Sequence, residues 1–217
     1  MPIKNDREYR SFEILKRAKE EREEDSFIVE GYASTFEEYD LWEDDEMILR
    51  ERIEPSAFDE ADMSDVVFLL DHCGRVYART KNETITLTTD EKGLFTRTDL
   101  SKTSASRSVY EDIEAGNYSQ MSFAFTVAAD RFEEKRAEGE KTIYTRIIDR
   151  IAKVFDVSAV GFPANPTTNI GVATRAAFDG AIDKLTAERL ENEKRSEEEK
   201  ARKLAELKAK FEEVNNL

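Results

Sequence analysis

Tyr118-Ser119-Gln120-Met121-Ser122-Phe123-Ala124-Phe125-Thr126-Val127 alternates without a break. As a strand it puts Met121, Phe123, Phe125 and Val127 on one face and Gln120, Ser122, Ala124 and Thr126 on the other. One face is built for a core, and Ser122 lies on the small, polar side. Working outward, further short β-rich runs bounded by charged or glycine turns span 27–35, 47–53, 66–70, 84–89, 94–100 and, with interruptions, 143–160. A short helix is expected at Pro55, whose fixed φ suits a first turn, and another from about Thr103 to Ala115, stopped by Gly116. The expected class is α+β, mainly β, with a density of strands that suggests a barrel or closed sheet.

At 217 residues the chain has room for one ordinary domain and an appendage. Residues 1–25 are highly charged and are expected to form an extension, partly helical, ahead of a domain over 26–170. A small-residue linker follows at 171–179, then a charged helical tail at 180–217, in which Leu204, Leu207, Phe211 and Val214 repeat at 3-4-3 spacing. No internal repeat is evident. The net charge of -15 argues against nucleic-acid and anionic-membrane binding, so the expected partners are proteins. Cys73 is the only cysteine, which excludes an internal disulfide and fits a reducing compartment. No apolar run approaches the roughly 20 residues a spanning helix needs, and the first residues lack the apolar block of a signal peptide. A cytoplasmic protein is expected.

His72 is the only histidine, and it closes the apolar run Val66-Val67-Phe68-Leu69-Leu70-Asp71, where a strand would hand over to a turn. It is the one side chain that titrates near neutrality without a large environmental shift, hence the candidate general base. In Lys153-Val154-Phe155-Asp156-Val157-Ser158-Ala159-Val160 a carboxylate interrupts an apolar strand. Burying Asp156 would cost several kcal/mol without a partner, and a histidine is a fitting one. Serine, histidine and carboxylate are the parts of a nucleophilic hydrolase. Spacing alone leaves open whether they meet, and a strand serine, a loop histidine and a paired acid would be the plainer account. A metal site is poorly supported, because no second histidine or cysteine could complete a zinc shell beside His72 and Cys73. The acidic run 37–46 lacks the glycine of a calcium loop and is expected to be a solvated loop. No cofactor is expected.

Six motifs occur in an order that resembles the prohead (procapsid maturation) protease family of tailed bacteriophages. They are Gly31-Tyr32-Ala33-Ser34-Thr35-Phe36, Glu51-Arg52-Ile53-Glu54-Pro55-Ser56-Ala57-Phe58, Leu70-Asp71-His72, Ala78-Arg79-Thr80, Gln120-Met121-Ser122-Phe123-Ala124-Phe125, and the run from Asp156 to Pro166. The resemblance covers about 26–170. It implies a serine endopeptidase with a fold similar to herpesvirus assemblin, a compact β-barrel ringed by helices. His72 matches the family's general base, Ser122 its nucleophile, and Asp156 the acidic position of an acid-Val-Ser motif that is often glutamate. Assemblin-like enzymes use a second histidine as third member; this chain has none, so a carboxylate must fill that post. An arginine near the oxyanion is also implied, with Arg150 the candidate and Arg146 its neighbour.

The implied setting is the assembling procapsid in the host cytoplasm, and the implied partner is the major capsid protein, whose scaffold-like segment such enzymes remove. Self-cleavage is expected as well, in the flexible stretch from Gly171 to Gly180, and a homodimer is expected by analogy with assemblin. The competing expectation is a capsid-assembly or scaffolding protein that keeps the protease fold without activity.

Overall fold

The computed structural model describes residues 7–15, 27–161 and 172–215, with side chains given for 7–10, 27–161 and 177–205. It divides into two units, residues 1–176 and residues 177–217. The first unit is dominated by ten strands: β1 (Glu8–Leu15), β2 (Ile28–Thr35), β3 (Tyr39–Glu43), β4 (Met47–Ile53), β5 (Val67–Leu70), β6 (Cys73–Arg79), β7 (Ile85–Thr89), β8 (Gly93–Asp99), β9 (Gln120–Lys135) and β10 (Thr142–Val160). They form one sheet in the order β3-β4-β10-β9-β1-β2-β8-β7, with β5 also on β10 and β6 on β5. The α+β, mainly β class holds.

The expected closed barrel does not. Closure requires the last strand to bond back to the first, whereas β3 and β7 end an open path among the described residues. The sheet forks because β10 is long: one edge pairs antiparallel with β9, while the other takes β4 at residues 142–148 and β5 at residues 156–159, both parallel. Nor do helices ring it among the described residues of this unit. Beside a 3-10 turn at Pro55–Phe58 the unit's described α-helix is α1 (Ser104–Ala115), where the Thr103 hydroxyl accepts the Ser106 N–H at 3.0 Å and Gly116 ends the last turn at φ 85°.

The strand alternation of the Ser122 segment is realised. Met121, Phe123 and Phe125 enter the core, with Phe123 and Phe125 stacked at 4.5 Å and Phe58, Phe68 and Val154 in the same cluster. The opposite face is closed as well, since Ser122 and Ala124 are buried.

Glu8–Leu15, inside the stretch expected to be a charged, partly helical extension, is instead a strand between β9 and β2. Its charges find partners. The Arg10 guanidinium donates to Glu51 at 2.6 and 2.7 Å and to Glu8 at 2.9 Å, Arg146 donates to Glu8 at 2.6 and 2.9 Å, and the Tyr39 hydroxyl donates to Glu51 at 2.6 Å. Glu8, Arg10, Glu51 and Arg146 are all buried, two cations against two carboxylates. Burial, reinforced by the Glu51 charge, pushes the Tyr39 phenol well above its usual range. The acidic run expected to be a solvated loop likewise contributes β3.

In the second unit lies most of α2 (Val172–Asn215). Its first turns take in residues 172–179, expected to be a linker and a flexible cleavage stretch. Ala173, Ala176, Ala177 and Ala181 favour helix strongly enough to carry Gly180. Pairs at i,i+4 spacing, Lys184 with Glu188, Arg189 with Glu193, Glu191 with Arg195 and Glu199 with Lys203, line its charged surface. Leu190 and Leu204 are exposed; the side chains of Leu207, Phe211 and Val214 lie outside the described residues. Among the described residues no helix is long and apolar enough to cross a membrane.

Candidate active site

β5 and β6 are joined by two residues, Asp71 and His72, between the paired Leu70 and Cys73. Both have positive φ, 47° and 56°. A two-residue hairpin of this kind needs the left-handed region at both central positions, which glycine and asparagine usually supply. A non-glycine residue there costs about 1–2 kcal/mol, and such strain persists only where the surroundings hold it. Asp71 holds it here: its N–H donates to the Ala159 carbonyl at 3.0 Å, and its carboxylate accepts the Gly161 N–H at 3.1 Å. The turn is thus tied to the end of β10, and His72 is aimed at β9 and β10.

Ser122 on β9 lies directly opposite Ser158 on β10, and Ala124 opposite Asp156. Asp156 reaches that face through a bulge. Val154 is opposite Phe125 and Asp156 is opposite Ala124, so Phe155 is an extra residue between them. Were the ladder regular, Phe155 would pair with Ala124, and Asp156 would fall opposite Phe123 and point into the core. The inserted residue re-aims the carboxylate to the side that carries Ser122.

The three side chains meet. His72 Nδ1 lies 2.6 Å from Asp156 Oδ1, and His72 Nε2 lies 2.6 Å from Ser122 Oγ. A carboxylate can only accept, so Nδ1 carries the proton and donates it to Asp156, leaving Nε2 to accept from the Ser122 hydroxyl. Ser158, which sequence reasoning did not single out, donates to the same Asp156 oxygen at 2.8 Å and sits 3.3 Å from His72 Nδ1. Its signal was its place two residues after Asp156, on the same strand face. Asp71 was missed too, since nothing local distinguishes an anchoring aspartate from an ordinary turn residue. Ser122 is 1% exposed and Asp156 3%, whereas the His72 side chain is 18% exposed. Histidine is the open edge of the group.

Arg150, the candidate for the oxyanion, does not join them. It lies six residues before Asp156 on β10, about 20 Å at strand rise, and its half-exposed guanidinium pairs with Glu60 at 3.7 Å. Arg146 is buried in the ion cluster with Glu8, Glu51 and Asp130. Cys73 is exposed and free. Among the described residues no group of His, Cys, Asp and Glu side chains is arranged to hold a metal ion.

A family model described as caudovirus prohead serine protease matches residues 13–180. No curated protein and no solved structure matches the chain.

Proposed function

The chain belongs to the caudovirus prohead serine protease family, which implies a procapsid-maturation protease, and on that premise we propose that Ser122, His72 and Asp156 perform the peptide cleavage. The observation that carries this is the continuous pair of 2.6 Å contacts from Asp156 through His72 to Ser122. Ser122 Oγ attacks the scissile carbonyl carbon while His72 Nε2 takes the hydroxyl proton. The resulting imidazolium, held by Asp156, gives that proton to the departing amine as the carbon–nitrogen bond breaks. An ester between Ser122 and the acyl half remains. Water then repeats the sequence: Nε2 takes its proton, the hydroxide adds to the ester carbon, and Ser122 leaves with the proton returned. Ser158 keeps the carboxylate turned toward Nδ1 throughout.

Family membership implies interaction with capsid proteins, and the substrates of this reading are the scaffold-like segment of the major capsid protein and the enzyme itself. The peptidase unit comprises 26–170 together with β1. The tail at 180–217 recruits it to the assembling shell by helix pairing with a scaffold segment. The exposed Leu190 and Leu204 on a helix otherwise covered by charge support that role.

Intact-mass spectrometry of wild type and Ser122→Ala, each alone and with the major capsid protein of the same phage, tests the reading. Mass loss with wild type alone is the expected result. Equal cleavage by both would remove Ser122 from the chemistry. No cleavage by either, inside assembled shells as well as in solution, would favour a scaffolding protein with an idle protease fold.

A further inference from the structure

Two hydrogen bonds do not fix a histidine ring. Those from His72 Nδ1 to Asp156 and from Ser122 to Nε2 define a line through the imidazole, and the ring can still tip about it. A third contact off that line is needed, and β1 brings one. The register of β1 on β9 sets Tyr9 opposite Ala124 and Ser11 opposite Ser122. Ala124 is itself opposite Asp156, so alternation puts Tyr9 on the sheet face that carries the reacting groups. Its ring stands against the imidazole at 4.5 Å between centroids, with planes 67° apart, an edge-on arrangement that aromatic pairs favour.

The position of Tyr9 is itself secured from both sides. One residue along, Arg10 enters the buried cluster with Glu51 and Glu8; two residues back, the Arg7 guanidinium lies 3.7 Å over the Phe155 ring, on the bulge residue that re-aims Asp156. Burial first, and the Asp156 charge second, push the Tyr9 phenol upward, so it is neutral at any working pH. It offers the histidine a ring rather than a charge.

We propose that Tyr9 is a positioning residue for the peptidase reaction, its ring holding the His72 imidazole in the orientation that joins Asp156 to Ser122. This rests on the peptidase reading above. It also makes the N-terminal strand part of the site, although Tyr9 precedes residue 13, where the family match begins.

The test compares Tyr9→Phe, Tyr9→Leu and Tyr9→Ala in the full chain by two readouts. The first is cleavage of the capsid protein. An aromatic contact of this kind is expected to appear as a fall of roughly tenfold in kcat for Tyr9→Ala and Tyr9→Leu, with KM within about twofold, and Tyr9→Phe near wild type. The second is the Nδ1–H proton signal of the imidazole in 15N-labelled chain, unambiguous because His72 is the only histidine. It is recorded in a Ser122→Ala background and needs no turnover. Loss or broadening of that proton in Tyr9→Leu, with retention in Tyr9→Phe, is the expected signature. Tyr9→Leu, which keeps most of the bulk, decides the matter should Tyr9→Ala fail to fold. An unchanged proton and unchanged kcat in Tyr9→Leu would overturn the proposal, as would equal losses in Tyr9→Leu and Tyr9→Phe. Failure of wild type itself to cleave would defeat the peptidase reading, and the proton would still decide on Tyr9.

Discussion

Asp156→Asn keeps the shape of the third group and removes its charge. The present carboxylate oxygen takes two donors, His72 Nδ1–H at 2.6 Å and the Ser158 hydroxyl at 2.8 Å. An amide can meet them in two ways. With its oxygen toward Nδ1, both bonds persist, but the imidazolium that forms during attack faces a neutral group. Opposite unit charges about 4 Å apart, at an effective dielectric of about 20, attract by about 4 kcal/mol, which is about a thousandfold in rate. With its NH2 toward Nδ1, the imidazole must move its proton to Nε2, the nitrogen facing Ser122, and the base is lost; in trypsin-like proteases that tautomer error costs about 10⁴. Either geometry predicts a fall in kcat of about 10³ to 10⁴ with little change in KM. The assay is the initial rate of capsid-protein cleavage by intact mass at saturating substrate, with thermal unfolding as the control for folding. A well-folded Asp156→Asn chain that keeps more than a tenth of wild-type kcat would refute the role given to Asp156.

Three further outcomes are expected. Arg146→Met strands the buried carboxylates of Glu8 and Glu51 with one cation between them, and should cost about 3–5 kcal/mol of stability; a loss below about 1 kcal/mol in urea unfolding would contradict the buried-cluster argument. The Lys153 ammonium, then the Ser64 hydroxyl and N–H, hold the Asp62 carboxyl down at about 2. Since the folded state binds that proton less readily than an unfolded carboxyl titrating near 4, the contribution is present above about pH 4 and lost as pH falls toward 2. Asp62→Asn should therefore flatten the fall of Tm over that window, and parallel wild-type and variant curves would exclude the contribution. Deleting 180–217 should reduce packaging of the protease into procapsids while sparing its cleavage chemistry, and unchanged packaging would sink the recruitment role of the tail.

Most of the strand positions could be read from local pattern because their apolar residues alternate over a real core. The 120–127 segment is the clearest, with Phe123 and Phe125 inside and Ser122 on the other face. Asp156 marks where that pattern stops being informative. Simple alternation sets Val154, Asp156 and Ser158 on one face, yet Val154 is in the core and the other two are in the site. The bulge at Phe155 separates them, and no two-residue period can register an inserted residue. At 172–179 the difference has another cause: small residues read as a break, yet a run rich in alanine is good helix. Arg150 stands apart from the group because six residues of strand carry it about 20 Å from Asp156, where it pairs with Glu60 instead.

β1 is the deeper case. Glu8 and Arg10 are charged residues in a charged stretch, and composition sends such residues to solvent. Their burial depends on Glu51 and Arg146, which are 41 and more residues away and equally charged, so neither half of the cluster announces itself without the other. The consequence is large, since among the described ladders β1 is the strand that joins β2, β8 and β7 to β9 and the site. The same hydrogen-bonded path carries Tyr9 to His72. A nucleophile, a base and an acid can be proposed from residue type and motif, because the chemistry demands those types. What holds the base in place can be almost any side chain of suitable shape, and only the register of a distant strand says which one it is.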